Sequence, residues 1–161
     1  IKSIRTTIDY IGFLSETYLF EELSLYTHSV RKQIANPKKI YAIDTGMIRS
    51  NSLSLSKDTG RLLETSVYQF LRKTFVSVKY YKSGKSECDF ICEGNDGSLT
   101  AIQVCSKLNE LNLEREINGI KDAMEELGIL KAMIITQDQE DKIEGIPVIP
   151  VWKWMSTLKV S

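Results

Sequence analysis

GRLLETSVYQFLRKTFVSVKYYKSGKSECDFICEGNDGSLTAIQVCSK, residues 60–107, is the stretch from which the rest of this chain can be read. Its first part spaces Leu62, Leu63, Val67, Phe70 and Leu71 at helical intervals, so one apolar stripe runs along a helix that begins near Gly60. Asp58 or Thr59 can cap that helix, and Glu64 falls in its early turns, where the helix dipole favours an acid. Three strand-like runs follow, at residues 76–82, 87–93 and 99–105. The connections Ser83-Gly84-Lys85-Ser86 and Gly94-Asn95-Asp96-Gly97 are short and rich in turn formers, which predicts an antiparallel meander.

Alternation along the second run puts Glu87, Asp89 and Ile91 on one face and Cys88, Phe90 and Cys92 on the other. The third run presents Leu99, Ala101, Gln103 and Cys105 together. A three-residue loop Asn95-Asp96-Gly97, with Gly97 in the left-handed region, pairs Gly94 with Ser98. That register sets Asp89 opposite Gln103 and Glu87 opposite Cys105, close enough for the four to surround one pocket. Asp89 and Gln103 would then offer oxygen ligands to a hard cation such as Mg²⁺. The competing reading is a solvated polar strand face or a buried hydrogen-bonded pair.

Downstream, Leu113, Ile117, Ile120, Met124 and Leu127 mark a second amphipathic helix over residues 111–127, stopped by Gly128. AMIIT, residues 132–136, is apolar throughout, as in a strand buried on both faces. A right-handed crossover makes this strand parallel to the third strand of the meander. IPVIPVWKWM then gives an edge or connecting strand and a short helix carrying Trp152 and Trp154. Upstream, Ile4, Ile8, Ile11 and Leu14 outline a helix over residues 2–16, and residues 18–26 read as extended. THSVRKQIANPKK is polar and ends in an Asn36-Pro37 turn, IYAID is a short strand broken at Asp44-Thr45-Gly46, and residues 50–57 read as a loop. The chain is therefore an α/β domain: a mixed central sheet flanked by helices.

Composition narrows the class. The 161 residues are 42% hydrophobic and 26% charged, enough for one sizeable core, with no apolar run of membrane-spanning length. The start IKSIRTT lacks the apolar run of a secretory signal, which places the protein in the cytoplasm. Three clustered cysteines, Cys88, Cys92 and Cys105, argue against a disulfide framework, and one histidine argues against structural zinc. The net charge of +0 conceals a dipolar chain, because residues 1–86 carry 14 Lys and Arg against 7 Asp and Glu, and residues 87–161 carry 7 against 14. Two segments lack any acid: residues 23–43, with Arg31, Lys32, Lys38 and Lys39, and residues 65–86, with Arg72, Lys73, Lys79, Lys82 and Lys85. Such clusters are either solvated faces or attractors of phosphate backbones.

Two short motifs fail on context. Gly84-Lys85-Ser86 ends like a phosphate-binding loop, but Lys79 stands where its first glycine is needed and a strand follows instead of a helix; no ATPase activity is expected of this segment. Asp44-Thr45-Gly46 has the letters of an aspartic protease triplet but no second copy, so it reads as a turn.

The succession of Glu64 on a helix, Asp89 on the second strand and the Gln103/Cys105 pair on the third resembles the PD-(D/E)XK nuclease superfamily, with its α-β-β-β-α-β core. More closely, KKIYAIDTGM, GRLLETSVYQFLR, ECDFICE, IQVCSK, EREINGI and IPVIPVWKWM are similar to the C-terminal domain of an archaeal-type P-loop AAA ATPase family. The resemblance implies that residues 1–17 end a winged-helix segment, that residues 18–161 form the nuclease-like domain, and that an ATPase domain lies in the same longer chain. It implies Glu64, Asp89 and Gln103 as holders of Mg²⁺ or Mn²⁺, and a degenerate site, because Gln103 stands at an acid position and Cys105 at the lysine position. Lys107, one step further on, could reach back as the missing cation, and Glu114 or Glu116 could replace the missing acid. The implied function is a regulatory module that binds nucleic acid, through Arg72, Lys73, Lys82 and Lys85, or a partner protein. The alternative is a Mg²⁺-dependent endonuclease with a shifted site; oligomerisation through Trp152 and Trp154 is a third.

Overall fold

The computed structural model describes residues 4–51 and 59–157. In chain order the elements are α1 (Ile4–Glu16), β1 (Phe20–Leu23), α2 (Val30–Ala35), β2 (Lys39–Ala42), α3 (Thr45–Asn51), α4 (Thr59–Thr74), β3 (Ser77–Ser83), β4 (Ser86–Glu93), β5 (Leu99–Val104), α5 (Leu113–Leu127), β6 (Lys131–Thr136), β7 (Asp141–Ile143), β8 (Ile146–Pro150) and α6 (Val151–Thr157). The expected α-β-β-β-α-β succession runs from α4 to β6. Six strands form one mixed sheet in the order β3-β4-β5-β6-β8-β7, and β1 and β2 form a separate antiparallel pair.

The meander forms in the predicted register. Phe90 pairs with Ile102 and Glu93 with Leu99, and the loop closes through the Gly94 amide on the Ser98 carbonyl at 2.9 Å. Gly97 lies at φ +75°, where a side chain would be strained. Gly84-Lys85 is the tight turn between β3 and β4, with Ser83 paired to Ser86. Beyond α5, whose C-terminus is closed by left-handed Gly128, β6 runs parallel to β5. β8 lies inside the sheet, between β6 and a short charged edge strand β7 that the sequence did not reveal.

Several local expectations shift. The polar stretch before Asn36-Pro37 contains α2, whose N-terminus is capped by Ser29 accepting from the Lys32 amide. Asp44 does more than turn the chain, since its carboxylate accepts the amides of Gly46 and Met47 at the start of α3. The loop expected over residues 50–57 begins inside α3; residues 52–58, including the candidate cap Asp58, lie outside the described residues.

Two cores sandwich the sheet. On the α4 side Val67, Tyr68 and Leu71 pack with Tyr41, Phe90, Ile102 and Trp154. On the α5 side Ile117, Ile120 and Ala123 pack with Cys88, Ile91, Ala101 and Ile134. Each fully buried aliphatic or aromatic side chain here contributes about 1.5–3 kcal/mol. Strict alternation along β4 fails at one place. Lys79 pairs with Ile91 but Tyr81 pairs with Cys88, so Asp89 and Phe90 together face Tyr80 in a β-bulge. The bulge sends Cys88 to the α5 side with Ile91, while Phe90 and Cys92 go to the α4 side. It also turns Asp89 away from the face shared with Ile91, as bulges beside functional clefts commonly do.

α5 lies directly on β4 through Gly119, where an added Cβ would stand 2.2 Å from the Glu87 carbonyl oxygen. Gly119→Ala should therefore destabilise the protein by about 1–3 kcal/mol. Gly12→Ala, at an open position inside α1, should raise stability by up to about 1 kcal/mol. Urea unfolding midpoints of the two variants check both signs.

Candidate functional site

A cleft of about 390 Å³ opens at the end of the sheet where β2, α4, β4, β5 and the start of α5 converge. Lys39, Glu64, Lys85, Glu87, Asp89, Gln103, Val104, Arg115 and Glu116 line it. Three of the predicted residues, Glu64, Asp89 and Gln103, are thus brought together, with Lys85 from the predicted basic group. Lys107 is not among them; it follows β5 on an exposed loop, where its carbonyl accepts from Asn112 and Cys105. Cys105 also leaves the cleft, its amide bonding to the Ile135 carbonyl.

At the centre stands a residue that sequence reasoning placed only in a basic stretch. The Lys39 ammonium lies 2.9 Å from Asp89 Oδ1, 2.9 Å from Glu87 Oε1 and 3.5 Å from Glu64 Oε1. β2 aims it there by alternation: Lys39 and Tyr41 share the inward face, and the Tyr41 hydroxyl donates to Glu64 Oε1 at 2.6 Å. The ammonium also sits 5.8 Å from the centre of the Tyr80 ring, within range of a cation–π contact. The i, i+2 spacing of Lys39 and Tyr41 in an otherwise apolar strand was the available signal.

Asp89, 8% exposed, uses both oxygens, since Oδ2 accepts the Val104 amide at 3.0 Å. Its backbone amide donates to Gln103 Oε1 at 3.1 Å, and Gln103 Nε2 donates to Glu116 Oε2 at 2.5 Å. Arg115 closes this chain from outside with an ion pair to Glu116. The predicted opposition of Asp89 and Gln103 therefore holds, but the two side chains diverge: Asp89 turns to Lys39 and Gln103 to α5. Of the acids considered for the missing position, Glu116 enters the cleft and Glu114 does not line it.

The electrostatics follow from one cation shared among three acids. Burial works against the Lys39 ammonium, but Asp89 and Glu64 outweigh it and hold Lys39 above the usual lysine value. Burial pushes the Asp89 carboxyl up, to about 6, against the pull of Lys39 and with the help of Glu64. These two directions disagree for a simple ion pair, which should lower the acid. They are reconciled by geometry: Lys39 is divided between Asp89, Glu87 and Glu64, whereas Asp89 alone is deeply desolvated. With Lys39 and the Val104 amide both donating to it, the ionised form of Asp89 is the one the site is built around. Burial also opposes the Glu87 carboxylate, yet Lys39 and then Lys82 hold it below the usual range.

The fit to a divalent cation can be judged from these donors. The oxygens of Asp89, Glu87 and Glu64 that would face a metal face an ammonium, and Gln103 spends its carbonyl on a backbone amide. Among the described residues no group of three or more His, Cys, Asp or Glu is arranged to hold a metal ion. As arranged, the residues do not fit Mg²⁺ or Mn²⁺.

The basic residues divide. Lys82 pairs with Glu87 at 3.2 Å and is half exposed. Lys85 lies on the rim, Arg72 is engaged by Glu21 on β1, and Lys73 is exposed in the last turn of α4. Arg115, which sequence reasoning did not single out, joins the rim with its side chain 78% exposed.

No known family's sequence profile matches the chain, and no solved structure matches it. It is 36% identical over 163 residues to MJ1544, an uncharacterized protein of Methanocaldococcus jannaschii. That similarity takes in 92% of this chain but 36% of the relative's own length. The chain spans about a third of that relative.

Lys39→Met leaves three acids around one buried space. Asp89 then rises further above its unfolded value, so its penalty grows as pH climbs through its folded pKa and fades below the unfolded value near 4. Glu87 acts in the same sense, because its wild-type contribution, present above its unfolded pKa, is lost as pH falls. The variant should be about 2–4 kcal/mol less stable than the wild type at pH 7.5, with the gap narrowing steadily toward pH 4.5 in urea titrations. A gap independent of pH would show that Lys39 does not hold the carboxylates.

Proposed function

We propose that this chain is a non-catalytic binding or regulatory module of nuclease-like design. It works in the cytoplasm beside an ATPase domain of a longer protein and contacts nucleic acid along the rim of its cleft. The observation that carries this reading is the Lys39 ammonium within 2.9 Å of both Asp89 and Glu87, in the space a catalytic metal would need. The Lys39 ammonium occupies the floor of the cleft between three carboxylates, so the floor offers no open cation site for hydrolysis of a phosphodiester. Its rim is different in character. Lys85 and Arg115 line the mouth, and Lys82, paired with the cleft acid Glu87, stays half exposed beside them; long, exposed cationic side chains of this kind engage phosphates at little steric cost. Arg72, whose partner Glu21 lies on β1 away from the cleft lining, is not part of that surface. No helix among the described residues is long and apolar enough to cross a membrane.

Fluorescence anisotropy with labelled single-stranded and duplex oligonucleotides tests the proposal. The triple variant Lys82→Ala, Lys85→Ala, Arg115→Ala should bind at least about tenfold more weakly, and the slope of log affinity against log salt should fall by roughly two to three. Affinity unaltered by the triple change would remove the nucleic-acid assignment. The wild type should cut neither DNA nor RNA with Mg²⁺ or Mn²⁺. Cutting that disappears in Asp89→Ala would replace the binding module with a metal-dependent nuclease.

A further inference from the structure

We propose that Lys39 is the resident cation of this site, a built-in counter-ion carried on the β1–β2 pair that keeps divalent metal out of the carboxylate cluster. The inference rests on the non-catalytic reading above and extends it to how the site is kept closed. Three acids from two elements, Glu64 on α4 and Glu87 and Asp89 on β4, converge on one ammonium. Like charges this close require a positive partner. The same oxygens are hard and anionic, the donor type that divalent ions take.

The cation is delivered by the β1–β2 pair, which is joined to β3 just beyond β1, where Tyr80 exchanges backbone hydrogen bonds with Ser24 and Tyr26. β1 and β2 pair with each other and lie outside the six-stranded sheet, so seating of this pair decides whether the acids are covered. It is seated by Tyr41 on Glu64, by Gln69 Nε2 donating to the Ala42 carbonyl at 2.7 Å, and by Tyr80 donating to the Pro37 carbonyl at 2.6 Å. Lys39 is therefore held by its surroundings as well as by its charge. A divalent ion entering the cluster must displace or face the ammonium, and their mutual repulsion opposes it.

Mn²⁺ binding followed by electron paramagnetic resonance and by thermal shift tests the proposal. The wild type should show no saturable binding near neutral pH. Lys39→Met, which keeps the side-chain bulk without the charge, should bind Mn²⁺ at least about tenfold more tightly, and adding Asp89→Asn to it should abolish that binding. Lys39→Arg, with its charge retained, should exclude Mn²⁺ as the wild type does. If Lys39→Met is unfolded without metal, its refolding on addition of Mn²⁺ supports the proposal and failure to refold overturns it. A folded Lys39→Met without affinity for Mn²⁺, or a wild type binding as tightly as that variant, also overturns it. These outcomes are separate from those of the oligonucleotide experiments, because a wild type that binds nucleic acid without cutting leaves the binding module standing even if Lys39 proves not to be the counter-ion.

Discussion

One ammonium shared among three carboxylates is the constraint around which the upper end of this fold is organised. Desolvating acids is expensive unless each has a partner, and Lys39 is the partner that Asp89, Glu87 and Glu64 have in common. The requirement fixes β2 over the cleft, α4 in the rotation that turns Glu64 inward, and β4 at the height where Glu87 and Asp89 both reach. Apolar packing does the rest of the assembly: the stack of Tyr41 on Tyr68, with ring centres 4.4 Å apart, seats the same strand that carries the lysine. Charge and packing therefore specify one position for β2 through two adjacent inward side chains.

The bulge in β4 allows this. Without it Asp89 would share a face with Ile91 and point toward α5, where Gln103 and Glu116 already lie. The extra residue opposite Tyr80 lets one short strand serve both cores and still present an acid at the sheet's end. Gly119 then brings α5 against the Glu87 carbonyl, so the helix that supplies Glu116 and the strand that supplies Asp89 are locked at a fixed separation.

Much of this architecture was legible in the sequence, and the parts that were share a property. Element order, the meander, its register and the Gly97 loop are written in local signals: alternation, turn residues and helical spacing over a few positions. Gly128 announced the end of α5 in the same way. Asp89 opposite Gln103 followed from the loop, and Glu64 from its place in α4. What was not legible is long-range. Lys39 and Asp89 are 50 positions apart, and within its own segment Lys39 looks like one of several solvated cations. The bulge has no sequence signature in ECDFICE, so the alternation read from it is right at Asp89 for pairing and misleading for direction. Lys107 was favoured because it follows β5 closely, but the chain leaves the sheet after Val104. The two halves of opposite charge do have a structural meaning, since Lys39 and Lys82 of the basic half meet Glu87 and Asp89 of the acidic one.

Gln103 places a further restriction on how this chain can change. Its amide is a donor toward Glu116 and an acceptor toward the Asp89 backbone, and only a side chain with both capacities satisfies both neighbours. An acid at position 103 would keep the second bond and bring a carboxylate, the fifth in the cleft lining, against the buried Glu116. Such an acid would face Glu116 directly, so replacing or protonating Glu116 at the same time would relieve the repulsion. The two positions are coupled across the β5–α5 interface: an acid at 103 would leave Glu116 with Arg115 as its ion-pair partner but without the Gln103 amide.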